Sequence, residues 1–169
     1  MFRTRMSIII VNYNSLNDTR KCLCSINRFL EDIEYEVLIL DNSSEDQENI
    51  GQLENSHVKV YKTATNLGFG RAVNYGVNLA NSPYVLILNP DTILLDDSTI
   101  GLLNKLESLK GQGYHCGSLQ MVDGAGNNRN NYWYKTRGKS LIKSFSQGLF
   151  VCPIFQVLFK NIFGDRDDS

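Results

Sequence analysis

Three short polar clusters interrupt the apolar parts of this sequence and carry side chains that can do chemistry. The clusters are Asn12-Tyr13-Asn14, Asp41-Asn42-Ser43-Ser44 and Asn89-Pro90-Asp91, and each follows directly on an apolar run. Any one of them can be a simple turn, because Asn, Asp, Ser and Pro shape turns by themselves. The presence of all three favours a binding site.

The carboxylate of Asp91 is suited to binding a metal ion. Mg²⁺ and Mn²⁺ prefer oxygen ligands, and Mg²⁺ often shares its coordination between one or two carboxylates and substrate phosphates. Asn89 can contribute its side-chain carbonyl oxygen or bind a water on the metal. The alternative is a capped turn in which Asp91 is only exposed to solvent.

Asp41 is suited to holding a ligand through a hydrogen bond. Its carboxylate can accept from the N–H of a nucleotide base or from a ribose hydroxyl. The alternative is an Asx-turn, in which Asp41 or Asn42 bonds to its own backbone.

The segment Asn66-Leu67-Gly68-Phe69-Gly70-Arg71 carries a third set of features. Its glycines permit close backbone approach, the helix predicted after it favours anions at its N-terminus, and Arg71 can add charge near a phosphate. The segment is neither a P-loop nor a dinucleotide-binding fingerprint. The alternative is a helix start with a solvated arginine.

Predicted strands alternate with predicted helices along the chain. We predict strands at residues 7–11, 36–40, 58–61 and 84–88, a further strand within 116–122, and helices at 18–30, 45–53, 71–80 and 98–110. Asn17 or Asp18 is predicted to cap the first helix. Because the strands are apolar throughout, we expect a parallel sheet with helices on both faces. Ligands bind at the carboxyl ends of such strands, which is where the three polar clusters lie.

The composition excludes several other classes of protein. The chain has 169 residues, which is the length of one domain, and a net charge of −1, which gives no field that favours nucleic acid. The four cysteines form no metal-binding pattern, and the two histidines lack the G-x-S-x-G motif of a Ser–His hydrolase. Without a signal peptide or a membrane-spanning run, we expect a cytoplasmic protein.

Four segments, taken together, resemble the nucleotide-sugar-dependent glycosyltransferases of family 2, and most closely their rhamnosyltransferase-like branch. The segments are I-I-I-V-N-Y-N-S (8–15), V-L-I-L-D-N-S-S-E-D (37–46), N-L-G-F-G-R-A-V-N-Y-G (66–76) and Y-V-L-I-L-N-P-D-T (84–92). They occur in the family's order and spacing over about residues 7–125. The resemblance implies an α/β, GT-A-like fold with a mainly parallel sheet, the Rossmann-like nucleotide-binding half of a longer enzyme.

The resemblance also implies roles for the matched positions. Asp41 would bind the base of a UDP- or dTDP-sugar donor. Asp91 would bind Mg²⁺ or Mn²⁺ as the last residue of the family's D-x-D motif, with Asn89 at the first position. The backbone of Val11, Asn12 and Tyr13 would line the nucleotide pocket. Asn66, Gly68 and Asn74 would shape the wall beside the ribose and diphosphate.

The family's second half holds the acceptor site and an acidic general base, usually in an E-D pair. Residues 126–169 contain no such segment, and the acidic string at 165–168 does not match it. We therefore expect residues 1–125 to form the nucleotide-sugar-binding core and 126–169 to form an incomplete acceptor-side segment. The expected function is sugar transfer to a glycan or lipid-linked acceptor in cell-surface polysaccharide biosynthesis. The alternative is a non-catalytic nucleotide-sugar-binding fragment or a degenerate remnant.

Residues 141–163 are apolar and aromatic, with lysines and an arginine before them. One interpretation is a loop or helix packed near the acceptor site. The other is a segment that lies on a membrane surface, as a lipid-linked acceptor would require. The second interpretation would place the protein peripherally on the inner face of the cell membrane.

Overall fold

The computed structural model describes residues 4–43, 49–110, 112, 116–123, 126–129 and 156–159. Its first part alternates strands and helices: β1 (Met6–Asn12), α1 (Leu16–Phe29), β2 (Tyr35–Asp41), a 3-10 helix (Ile50–Leu53), β3 (Val58–Lys62), α2 (Phe69–Leu79), β4 (Tyr84–Leu88) and α3 (Ser98–Ser108). Four short strands follow, which are β5 (Cys116–Gly117), β6 (Met121–Val122), β7 (Asn128–Arg129) and β8 (Gln156–Phe159).

The main sheet has the strand order β3-β2-β1-β4-β8-β5. Strands β1 to β4 are parallel, while β8 runs antiparallel to both β4 and β5. The strand order reverses at β1, because β2 and β3 lie on one side of it and β4 lies on the other. The carboxyl edge between β1 and β4 is therefore a switch point, where open α/β sheets bind ligands.

Helices cover both faces of this sheet, as predicted. Alternate residues of β1 point to opposite faces, so Ile8 packs into the same core cluster as α1 and α3, whereas Ile9 packs against α2. Gly76 lets α2 approach closely, because a Cβ there would lie 2.8 Å from a methyl group of Ile9 and 2.9 Å from Leu40. The mainly parallel sheet predicted from the apolar strands is confirmed.

A polar cluster fixes the opposite, amino-terminal edge of the sheet. The Ser7 hydroxyl donates to Glu36 at 2.6 Å and lies 2.8 Å from the hydroxyl of Ser82. The backbone and side chain of Asn81 also donate to Glu36. Burial disfavours the charged carboxylate, but these hydrogen bonds and nearby Lys59 outweigh it and lower the pKa of Glu36.

Several predicted boundaries were wrong. Helix α1 begins at Leu16, after Ser15, so Asn17 and Asp18 lie inside its first turn rather than capping it. Of the helix predicted at 45–53, only the 3-10 turn at Ile50–Leu53 is seen, while 44–48 lie outside the described residues. The strand predicted within 116–122 is two strands, because β5 pairs with β8 and β6 pairs with β7.

The later part of the chain is described only in short pieces. Residues 156–159 form strand β8, not the loop or helix predicted for 141–163, and the remainder of that range lies outside the described residues. The predicted division of the chain at residue 125 stays a prediction. Within the described ranges, no helix has both the length and the apolar character needed to cross a bilayer.

Candidate functional site

The polar clusters that follow β1, β2 and β4 meet at the carboxyl edge of the sheet. Asn12 ends β1 and pairs in register with Asp41, which ends β2. The Asn89–Asp91 loop follows β4 on the other side of β1. Because neighbouring strands lie roughly 4.8 Å apart, the ends of β2 and β4 are separated by roughly 10 Å.

Asn12 connects this edge to helix α1 through its fully buried side chain. Its Nδ2 donates to Asp41 Oδ1 at 3.1 Å and to Ser43 Oγ at 3.4 Å. Its Oδ1 accepts from Ser15 Oγ at 2.9 Å and from Thr19 Oγ1 at 3.0 Å. Asn12 thereby fixes the orientation of the Asp41 carboxylate and the start of α1.

The Asp41 carboxylate is buried, with 3% of its residue surface exposed. Its Oδ1 accepts the Asn12 amide and also the backbone N–H of Ser43 at 3.3 Å. Its Oδ2 accepts no hydrogen bond from any of the residues that the structure describes. Asp41 also lines a cavity of about 200 Å³ together with Asn49, Ile50, Gly51, Glu54, Val60 and Lys62. One oxygen thus remains to accept a hydrogen bond from a ligand.

Asn42 links the end of β2 to the loop before α2. Its Nδ2 donates to Asn66 Oδ1 at 2.8 Å, and its Oδ1 accepts from the backbone N–H of Leu67 at 2.8 Å and from Thr63 Oγ1 at 3.1 Å. Asn66 Oδ1 accepts in addition from the backbone N–H of Gly68 at 2.8 Å. Gly68 has a φ of 72°, in the left-handed region that glycine adopts without strain.

Helix α2 begins directly after Gly68, and no side chain among the described residues caps its N-terminus. Its first backbone N–H groups therefore present partial positive charge at the carboxyl edge of the sheet. Arg71 and Asn74 are both exposed and lie three residues apart, on one face of the helix. This end of α2 can attract an anionic group.

The loop after β4 is held in place by helix α1. The backbone carbonyl of Asn89 accepts from Cys22 Sγ at 3.9 Å, and Ser25 Oγ accepts the backbone N–H of Leu94 at 3.0 Å. Burial, followed by the negative charge of Asp91, raises the pKa of the Cys22 thiol to about 12. The Asp91 carboxylate itself is exposed at the strand end.

The oxygen ligands at this loop fit a divalent cation that arrives with a phosphate group. Asp91 offers one exposed carboxylate, and the half-buried Asn89 lies two residues before it. No cluster of three or more His, Cys, Asp or Glu side chains within the described ranges could hold an ion alone. Mg²⁺ is commonly held by one or two carboxylates plus substrate phosphates, so a diphosphate would have to complete the coordination.

The structure brings together some of the predicted site residues and leaves others apart. Val11, Asn12 and Asp41 lie side by side at the ends of β1 and β2, and Asn66 and Gly68 join them through Asn42. Among the described residues, no side-chain hydrogen bond connects the other predicted site residues to these five. Those other residues are Tyr13, Arg71, Asn74, Asn89 and Asp91.

Sequence patterns do not identify the residues that hold these side chains in place. They predict Asn42 only as a turn residue, and they do not distinguish Thr63 or Ser25 from other polar residues. The hydrogen bond between Thr63 and Asn42 spans 21 residues, and that between Leu94 and Ser25 spans 69. Only the position of Asn42, directly after Asp41, could have signalled its role.

Comparisons with known proteins concern the family and the fold of the chain. The family model for glycosyl transferase family 2 matches residues 7–165. A search of curated proteins found no match.

Solved structures with the same fold include S. aureus TarS 1-349, with a TM-score of 0.65 and 18% identity over 94% of this chain and 48% of that one. The same TarS region in complex with UDP-GlcNAc gives a TM-score of 0.58 and 22% identity over 75% of this chain and 37% of that one. The mannosyltransferase PcManGT from Pyrobaculum calidifontis, in complex with GDP-Man and Mn²⁺, gives a TM-score of 0.55 and 18% identity over 69% of this chain and 35% of that one.

These likenesses establish the fold, and the GT-A-like architecture expected from the sequence is confirmed. The chain spans less than half the length of each of these solved chains.

Proposed function

Because the chain belongs to glycosyl transferase family 2, we propose that its carboxyl edge binds a UDP- or dTDP-sugar as the donor for sugar transfer. The acceptor is a glycan or a lipid-linked glycan in cell-surface polysaccharide biosynthesis, and rhamnose is the proposed sugar, as in the branch that the sequence resembles. The observation that carries the proposal is the buried Asp41 carboxylate, aligned across β1 from the Asn89–Asp91 loop.

Asp41 supplies the contact to the base. Uracil and thymine each present one ring N–H donor, and Asp41 Oδ2 can accept it while Oδ1 stays bonded to Asn12 and Ser43. Tyr13, which follows β1 directly and is 51% exposed, offers an aromatic ring on which a base can stack. The buried end of β1, at Val11 and Asn12, forms the floor beneath this position.

The diphosphate is proposed to lie between α2 and the loop after β4. The uncapped N-terminus of α2 and the exposed Arg71 favour its negative charge, and Gly68 permits close backbone approach. Asp91, with Asn89 beside it, would hold Mg²⁺ or Mn²⁺. When bound, such an ion supplies charge stabilisation to the diphosphate as the leaving group.

Titration calorimetry with UDP, dTDP and GDP in the presence of Mn²⁺ tests this proposal. A hydrogen bond to a charged group contributes roughly 1.5–3 kcal/mol, so Asp41→Asn should weaken pyrimidine nucleotide binding by at least about tenfold. Asp91→Asn should remove most of the Mn²⁺ dependence of binding. The matched control is Asp32→Asn, an exposed carboxylate in the turn before β2, far from the carboxyl edge, and its affinity should equal that of the wild type.

Two results would contradict the proposed function. One is a wild-type chain that binds none of the three nucleotides. The other is nucleotide binding that neither the Asp41 nor the Asp91 substitution changes.

A second candidate function is donor binding without catalysis. It is the alternative that the sequence leaves open, because residues 126–169 contain no E-D pair. A transfer assay with a UDP- or dTDP-sugar separates the two candidates, because turnover by this chain alone would exclude the second.

The proposed lipid-linked acceptor predicts contact with a membrane surface through residues 141–163, apart from 156–159, which pair with β4 and β5 in the main sheet as β8. Co-sedimentation with anionic lipid vesicles tests this contact, and replacement of the lysines before and within the segment should weaken it. Equal recovery of wild type and variant in the supernatant would contradict a membrane-surface role.

A further inference from the structure

We propose that Asn42 is a positioning residue that holds the base-binding and diphosphate-binding parts of the donor site in a fixed relation to each other. The inference rests on the proposed function, because it concerns how one ligand reaches both Asp41 and the start of α2. The sequence pattern predicts Asn42 only as a turn residue that follows Asp41.

The contacts of Asn42 join three separate segments of the chain. Its backbone N–H donates to the carbonyl of Asn12 at 2.8 Å, which ties it to the end of β1. Its side-chain oxygen accepts from Thr63, directly after β3, and from the backbone of Leu67. Its side-chain nitrogen donates to Asn66.

These contacts use both the donor and the acceptor of a carboxamide. The Asn42 residue is 3% exposed, so water cannot readily replace the bonds. Aspartate has nearly the same shape but cannot donate to Asn66, and serine is too short to span the same partners. Asparagine is the residue type whose shape and bonding capacity fit here.

The link through Asn66 ends at the backbone of Gly68. Asn66 Oδ1 accepts from both the Asn42 side chain and the Gly68 N–H, each at 2.8 Å. Gly68 is the last residue before α2, so this chain of bonds runs from the neighbour of Asp41 to the helix end that is proposed to face the diphosphate. Loss of the link should therefore matter most for a ligand that contacts both ends.

The test compares a nucleoside diphosphate with its nucleoside. The probes are either UDP and uridine or dTDP and thymidine, whichever pair the wild type binds more tightly. Binding of the diphosphate is measured by calorimetry with Mn²⁺, and binding of the nucleoside is measured by ligand-observed NMR without metal. Asn42→Asp keeps the two acceptor contacts but faces Asn66 Oδ1 with a second acceptor. We expect it to weaken diphosphate binding about tenfold and nucleoside binding less than about twofold.

A double-mutant cycle shows whether Asn42 acts through Asn66. Asn66 is exposed, so Asn66→Ala breaks the same hydrogen bond without disturbing the core. Once Asn66→Ala is present, Asn42→Asp should cause little further loss of diphosphate affinity. Asn55→Asp is the matched control, because Asn55 is an exposed asparagine whose side-chain carbonyl caps the turn before β3. The ratio of its diphosphate affinity to its nucleoside affinity should equal that of the wild type.

Equal losses of diphosphate and nucleoside affinity in Asn42→Asp, or additive losses in the double variant, would overturn the role of Asn42. If Asn42→Asp does not fold, unchanged diphosphate binding by Asn66→Ala overturns it instead. A wild-type chain that binds neither ligand overturns the proposed function and this inference with it. If the wild type binds both ligands but the variants do not show the predicted loss of diphosphate affinity, this inference alone is overturned.

Discussion

Replacement of Asn12 by alanine would remove the side-chain hydrogen bonds that connect the end of β1 with β2 and with α1, while the backbone bonds between β1 and β2 would remain. The fully buried Thr19 hydroxyl would lose the acceptor it uses, which costs roughly 1–3 kcal/mol. Asp41 would lose one of two hydrogen bonds to a charged group, which costs roughly 1.5–3 kcal/mol. Ser15 is half-buried and can turn to water, so it adds little.

We therefore expect Asn12→Ala to lower the free energy of unfolding by about 2.5–6 kcal/mol, a large part of the roughly 5–15 kcal/mol of a typical domain. Urea unfolding followed by circular dichroism at neutral pH measures this loss directly. The control is Asn17→Ala, an exposed asparagine in the first turn of α1, which should change the value by less than about 0.5 kcal/mol. A loss below about 1 kcal/mol for Asn12→Ala would refute the reasoning.

Three further predictions concern packing and charge. A Cβ at Gly76 would lie 2.8 Å from a buried isoleucine methyl, so Gly76→Ala should lower the free energy of unfolding by about 1 kcal/mol. A Cβ at Gly101 in α3 would meet no described atom within 4 Å beyond the neighbouring residues and the helix's own backbone, so Gly101→Ala should raise the free energy of unfolding by about 0.5–1 kcal/mol, and equal urea midpoints for both variants would contradict this account. Because the pKa of Glu36 is lowered in the folded state, its carboxylate stabilises the fold at pH values above the ordinary glutamate pKa, and this stabilisation is lost as the pH falls through the folded-state pKa. The difference in free energy of unfolding between wild type and Glu36→Gln should therefore shrink from neutral pH to about pH 3. A difference that grows on acidification would show the sign to be wrong. Because burial raises the pKa of Cys22, iodoacetamide near pH 8 should label the exposed Cys24 and spare Cys22 in peptide mass spectra, and equal labelling would count against the buried thiol.

The strands were the most predictable part of the fold. Residues 84–88 form β4 as predicted, because an apolar run bounded by polar residues leaves few other structures open to it. Strands β1 and β2 extend one residue further than predicted at their carboxyl ends. The added residues, Asn12 and Asp41, pair with each other in register, so two polar residues that resemble loop residues belong to the sheet.

The starts of helices were less predictable, because competing contacts decide them. Ser15 precedes α1, yet its hydroxyl donates to Asn12 instead of capping the helix. In α2, Phe69 and Gly70 enter the first turn after Gly68 adopts a positive φ, a conformation that the sequence allows but does not require. Local patterns indicate that a helix exists more reliably than where it begins.

The candidate site could be predicted as a place but not as a bonded structure. Polar clusters at strand ends locate it, because the carboxyl ends of parallel strands share one edge. The roles of Asn42 and Ser25 depend on partners far away in the sequence, and only the folded chain brings those partners together. Tertiary hydrogen bonds of this kind leave no periodic signal.

The most direct measurement of the central claim is a crystal structure of the chain with UDP or dTDP and Mn²⁺, with manganese located by its anomalous scattering. The account predicts the ring N–H of the base on the Asp41 carboxylate and the manganese peak beside Asp91, between the protein and the diphosphate. A nucleotide bound away from the ends of β1 and β2, or manganese held without Asp91, would contradict it.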